Sequence, residues 1–116
     1  MHSNNFSKAI ALTEELIDSV IPKNSIGIFL LGYTPINNGK FNPLYLSRSD
    51  NDLNNTLKGH VGYFSQFKFC LFESVSDAFF YECKLYHYLT DNIFIVNESH
   101  PSPPPGIVLK CPVCGK

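Results

Sequence analysis

Charge is scarce in this chain, and arginine is nearly absent. Asp, Glu, Lys and Arg make up 16% of the 116 residues, the formal net charge is -1, and beside eight lysines there is a single arginine, Arg48. A protein that grips a duplex by its phosphates carries a basic excess or stripe, so strong non-specific duplex binding is excluded, although a local basic groove is not. Also missing is any apolar run long enough to span a bilayer, and the polar start Met1-His2-Ser3-Asn4-Asn5 lacks the apolar stretch of a signal peptide. The expectation is a cytoplasmic protein with no membrane partner. No internal repeat is visible. With 44% hydrophobic residues the chain can bury one core, and a domain this small gains from a metal staple.

Four cysteines in a reducing compartment favour a metal site or free thiols over a disulfide framework. Two of them stand in Cys111-Pro112-Val113-Cys114-Gly115-Lys116, where thiolates two residues apart can reach one tetrahedral ion and Pro and Gly suit a tight knuckle. A redox dithiol is the competing reading, but such pairs sit at a helix N-terminus, and only Gly115 and Lys116 follow Cys114. Unpaired thiols on a tail are the remaining alternative. A zinc half-site needs two more ligands. Cys83 and His87 lie four residues apart, one above the other on a helix, and are the expected pair. His100 and Cys70 are spares, and Cys70 suits a small buried position in an apolar strand. Four protein ligands leave no open position, so the zinc is expected to be structural.

Residues 6–20 carry Phe6, Ile10, Leu16, Ile17 and Val20 between charged positions and predict an amphipathic helix ended by Pro22 and Asn24. Residues 26–31 form an apolar run that reads as a buried strand. After the turn signal Asn37-Asn38-Gly39-Lys40, residues 44–47 give a second strand, making an antiparallel hairpin with a long connection. Asp50 or Asn51 can cap a helix through Leu53 and Leu57 to His60. Residues 67–73 follow as an aromatic strand, then Ser74 or Ser76 caps a helix over 77–89. Residues 93–96 are expected as a last short strand, and the proline-rich 100–105 as an extended tether. The predicted class is α+β, a small, mainly antiparallel three-stranded sheet flanked by helices, with a C-terminal zinc knuckle. Its parts are an N-terminal helix (1–24), a core (25–97) and the tether with its knuckle (98–116), all one compact domain.

Short motifs in this order resemble the GIY-YIG nuclease superfamily. Gly27-Ile28-Phe29 stands where that family has Gly-Ile-Tyr, and Tyr45-Leu46-Ser47 where it has Tyr-Ile-Gly. Arg48-Ser49-Asp50 and Asp52-Leu53 lead into the helix ending at His60, Glu82 lies mid-helix like the family's metal-binding glutamate, and Asn97 resembles its closing asparagine. The resemblance spans 27–97 and rests on joint order and spacing, since each tripeptide alone is weak. It implies cleavage of nucleic-acid phosphodiesters with one divalent cation, Mg or Mn, held by Glu82, with Tyr45, Arg48, His60 and Asn97 lining the centre. In-line displacement at phosphorus needs an activated oxygen and a cation at the developing charge. Glu82 lies about 100° around its helix from Cys83, so one helix can carry a zinc staple on one flank and a phosphate site on the other.

Three positions depart from the pattern. Phe29 lacks the first tyrosine's hydroxyl, Ser47 replaces the closing glycine, and Thr56 stands where the helix arginine belongs. Losing one positioned charge-stabilising donor costs about two to three decades of rate, or ~3–4 kcal/mol. The alternative is therefore an inactive binding module on the same scaffold for a nucleotide, a nucleic acid or a protein partner.

The same residues also have plainer structural readings. Tyr45 suits a half-buried sheet position, His60 a dipole-compensating helix end, and Arg48 a partner for Asp50 or Asp52. A carboxylate amid Phe79, Phe80, Tyr81 and Leu85 is costly to bury alone, so Glu82 must face solvent or have a cation beside it. The phenylalanines at 64, 67, 69 and 72 can stack bases, but the alternation around Lys68 reads more like one face of a core strand.

Overall fold

A computed structural model of the chain describes residues 6–97 and 99–115; the polar start at 1–5 lies outside them. Seven elements follow one another: β1 (Ile10–Ala11), α1 (Glu14–Val20), β2 (Ile26–Tyr33), β3 (Asn42–Ser49), α2 (Leu53–Lys58), β4 (Gln66–Phe72) and α3 (Val75–Asn92). The strands form one sheet in the order β1-β4-β2-β3, and every pairing is antiparallel. The class is α+β as expected, but the sheet has four strands rather than three.

The extra strand comes from the segment predicted as the start of the first helix. A gap of four residues, as between Phe6 and Ile10, is one helical turn but also two strand repeats, so spacing alone does not separate them. Backbone pairing decides the matter: Ile10 and Ala11 pair with Phe67 and Gln66, and the Ser7 N–H donates to the Phe69 carbonyl at 2.9 Å. The helix starts only where Thr13 caps it, its hydroxyl accepting from the Leu16 N–H at 3.2 Å.

Strand β2 is the centre of the molecule, buried over six consecutive residues from Gly27 to Gly32. Its alternation splits the core in two. Phe29 and Leu31 face a cluster with Ile17, Leu53, Leu57 and Phe67, so α1 and α2 cover that side. Ile28 and Leu30 meet clusters that include Ala78, Leu85 and Leu89, which puts α3 on the other. Gly27 has no alternative, since a Cβ there would stand 2.6 Å from the Cys70 carbonyl oxygen and 2.9 Å from Leu53. Cys70 lies in β4 as a buried side chain.

The strand expected at 93–96 does not form. The chain leaves α3 in coil and runs along β3, whose edge it covers: the Val96 N–H donates to the Leu44 carbonyl at 2.6 Å. Covering an edge in this way shields backbone groups that would otherwise pair with other chains. No helix among the described residues is long and apolar enough to cross a membrane.

Candidate functional site

Two groups of polar side chains adjoin α3, one at its middle and one toward its C-terminal end. The first is a cleft of about 230 Å³ between β3, α3 and the tether, lined by Arg48, Glu82, Ser99, His100 and Ser102 among others. Strand alternation turns Arg48 toward α3, where its guanidinium lies 5.3 Å over the Phe79 ring. Its Nε donates to Asp50 Oδ1 at 2.6 Å, its Nη1 to Glu82 Oε1 at 2.5 Å, and its Nη2 to the Ser102 carbonyl at 2.7 Å. Arg48 is therefore the partner that lets Glu82 be buried to 6% exposure. Burial pushes the Glu82 carboxyl up to about 7 even against the pull of Arg48. For Arg48, burial opposes the charge, but the bond to Asp50 and the attraction of Glu82 raise its pKa. With two carboxylates on one guanidinium, the ionised group carries one negative charge too many.

The other predicted catalytic residues are placed elsewhere. Tyr45 belongs to the opposite side of the sheet, its ring 6.4 Å from Phe29, 5.7 Å from His60 and 6.3 Å from Phe64, although the residue also borders the cleft. His60 sits in that same aromatic group, and burial lowers its pKa. Thr56 donates to the Asp52 carbonyl at 3.0 Å and bonds the Ser49 hydroxyl at 3.1 Å, so it braces the start of α2. Asn97 borders the cleft but gives both ends of its amide to one residue of β3: Oδ1 accepts from the Leu46 N–H at 3.0 Å and Nδ2 donates to the Leu46 carbonyl at 2.7 Å. Arg48 and Glu82 thus meet directly, while Tyr45 and His60 meet each other across the sheet.

The second group is a set of metal-ligating side chains. His87 from α3, His100 from the tether, and Cys111 and Cys114 from the knuckle bring their ligand atoms within 4.8 Å of one another, so the group could hold a metal ion such as zinc. His87 Nε2 and His100 Nε2 are 3.2 Å apart, and Cys114 Sγ is 3.4 Å from His100 Nε2. A tetrahedral zinc ion with ordinary bond lengths spaces two nitrogens by about 3.3 Å and a nitrogen and a sulfur by about 3.5 Å. The donor set therefore fits. The His100 ring suits the role, because Nδ1 lies 2.8 Å from the Pro101 carbonyl, and a proton held there leaves the Nε2 lone pair for a metal.

Cys83, expected as the fourth ligand, lies outside the converging set and the spare His100 lies within it. Cys83 is fully buried behind Cys111, in a cluster with Phe79. Burial and the hydrogen bond to Cys111 push its thiol up to about 12. Burial alone would raise Cys111 too, but the amides of Cys114 and Val113 and the side chains of His100 and Cys83 bring it down to about 5. The i, i+4 argument holds for Cys83 and His87 as neighbours on one helix face, yet Cys83 packs against and bonds to Cys111 while the four-residue group includes His87 and not Cys83. Only the return of the tether brings His100 in, and no local pattern encodes that return.

Comparisons with models of protein families, with curated proteins and with solved structures return no match for this chain.

Proposed function

We propose that this chain is a GIY-YIG-like protein that binds a nucleic-acid phosphodiester together with a divalent cation, and that it has lost most of the hydrolytic power of that family. One observation carries the reading: a buried glutamate and an aspartate share the only arginine at the wall of a polar cleft. An unbalanced carboxylate in low dielectric favours a cation, and a cation beside a guanidinium favours a phosphate. Glu82, with Asp50 nearby, would hold Mg or Mn, which supplies charge neutralisation at phosphorus; Arg48 orients the phosphate.

Weak hydrolysis follows from the residues around it. Phe29 has no hydroxyl, Thr56 is engaged at the start of α2, and the Tyr45 ring packs on the far side of the sheet from Glu82. A second structural element of the proposal is zinc, held by His87, His100, Cys111 and Cys114 as a closed site. The test of the cleft pairs manganese titration with cleavage assays on single-stranded, duplex and branched DNA and RNA. Manganese binding that Glu82→Ala abolishes, with slow or no cutting, is the expected result. Rapid Glu82-dependent cutting would make the protein a working nuclease, and no manganese binding at all would sink the cation site.

A further inference from the structure

The two polar groups share one residue. His100 offers Nε2 to the metal-ligating set and also lines the cleft. Two residues on, the Ser102 carbonyl accepts from Arg48 Nη2 at 2.7 Å. Only Pro101 lies between them, and it too lines the cleft. A proline fixes φ, and three consecutive residues span no more than about 7 Å between outer Cα atoms, so the backbone of His100 cannot shift far without carrying Ser102 with it. The next residues are Pro103, Pro104 and Pro105, and Pro104 is buried, which stiffens the tether further.

From this geometry we infer that a metal ion at His87, His100, Cys111 and Cys114 fixes the tether as a wall of the cleft, and that His100 acts as a positioning residue for Arg48 through the Ser102 carbonyl. The ion joins three separate pieces of chain: α3, which carries both Glu82 and His87, the tether, and the knuckle. Metal occupancy and the order of the Arg48 guanidinium are therefore one linked equilibrium, and the coupling runs equally in both directions. This goes beyond the phosphodiester reading and needs neither a phosphate ligand nor hydrolysis.

Arg48 being the only arginine makes the test direct, since the full chain has a single arginine Nε–H resonance in a nitrogen-15 spectrum. The protein is loaded with one equivalent of zinc, and solvent exchange of that Nε–H is measured for the wild type, His100→Ala and His100→Cys. His100→Ala keeps three ligands, and His100→Cys restores a fourth. The expected result is exchange at least tenfold faster in His100→Ala, largely restored in His100→Cys, with the amides of β2 unchanged in both. Equal exchange in His100→Ala and the wild type overturns the inference, and so does failure of the wild type to bind zinc.

Should His100→Ala fail to fold, the reverse arm decides. Arg48→Lys keeps the charge beside Glu82 but cannot make the same fork of bonds, and competition with a chelator should show zinc affinity about fivefold lower, a common size for coupling between sites. Affinity unchanged within about twofold overturns the link. The phosphodiester reading is judged separately, by manganese binding at Glu82.

Discussion

The metal-ligating group and the cleft beside it are built from the same helix and the same tether, yet their polar atoms are arranged in opposite ways. In the first, four ligand atoms from three pieces of chain gather within 4.8 Å of one another. In the second, the polar atoms satisfy one another: Arg48 spends Nε, Nη1 and Nη2 on Asp50, Glu82 and Ser102. A convergent set gains most of its stability from the ion it binds, whereas a self-satisfied set is stable alone and must give up a contact to admit a ligand. The difference predicts that the metal group dominates stability and that the cleft is costly to break from one side only.

The largest expected effect is therefore chelation. Removing zinc, or changing Cys114→Ser, should cost about 4 kcal/mol or more and lower the melting midpoint by roughly 15 °C, since structural zinc sites supply folding energy directly. Thermal unfolding of metal-loaded and chelated protein, with elemental analysis of each, measures this. Equal midpoints would erase the contrast between the two regions.

Next comes the cleft. Glu82→Ala leaves Arg48 its charge partner Asp50 but takes the acceptor from Nη1 in a buried site, and should cost about 2 kcal/mol in urea unfolding, because a buried donor left without an acceptor incurs its desolvation cost. Arg48→Met combined with Glu82→Leu should cost less than Glu82→Ala alone, since donor and acceptor are removed together and the one charge left, Asp50, is partly exposed. A double variant as unstable as the sum of its parts would mean that the pair does not act as a unit.

A change of pH sharpens the same comparison. The folded-state pKa of Glu82 lies near 7, above its ordinary value of 4.5. Below 4.5 both states hold the proton and Glu82 contributes no pH dependence; as pH rises toward 7 the unfolded chain releases its proton first, so stability falls, and above 7 the loss is complete. Between pH 5 and 8 the Glu82 contribution should decline by on the order of 2 kcal/mol. The metal ligands titrate in the same window, so the quantity to follow is the difference between wild type and Glu82→Gln. A difference that stays flat with pH would show that Glu82 is ionised throughout.

The elements that sequence patterns locate well are those whose signals are local. The apolar run that became β2 and the serine cap of α3 both lie within one stretch of chain, and the pairing of Arg48 with Asp50 joins residues two apart. The cost of a lone carboxylate among aromatics leaves Glu82 with either solvent or a cation beside it, and the structure has the second, Arg48. The misread parts depend on distant partners. Residues 10 and 11 became a strand because Phe67 and Gln66 offered an edge. His100 entered the metal group through a fold-back of the proline tether. Motif order put Arg48 and Glu82 in one group, and the two side chains do meet, but the direction of the Tyr45 ring was not legible: it follows from which face of the sheet α3 covers.

The smallest effect concerns Asn97, whose position recommends it as a site residue and whose contacts make it a clasp. Both ends of its amide are bonded to Leu46 on the outer edge of β3, in the manner of a paired strand residue. Asn97→Ala removes one donor and one acceptor and leaves the Leu46 groups at an edge that water can reach, so the cost should be about 1–2 kcal/mol. Asn97→Asp is the sharper variant, because it keeps the acceptor for the Leu46 N–H but faces the Leu46 carbonyl with a second oxygen, which repels it. If Asn97 serves only as a clasp, manganese binding at Glu82 should survive Asn97→Ala while amide exchange at Leu46 rises. Loss of manganese binding without faster exchange would return Asn97 to the site and place the segment that follows α3, beside Glu82 and Asp50, among the groups that hold the ion.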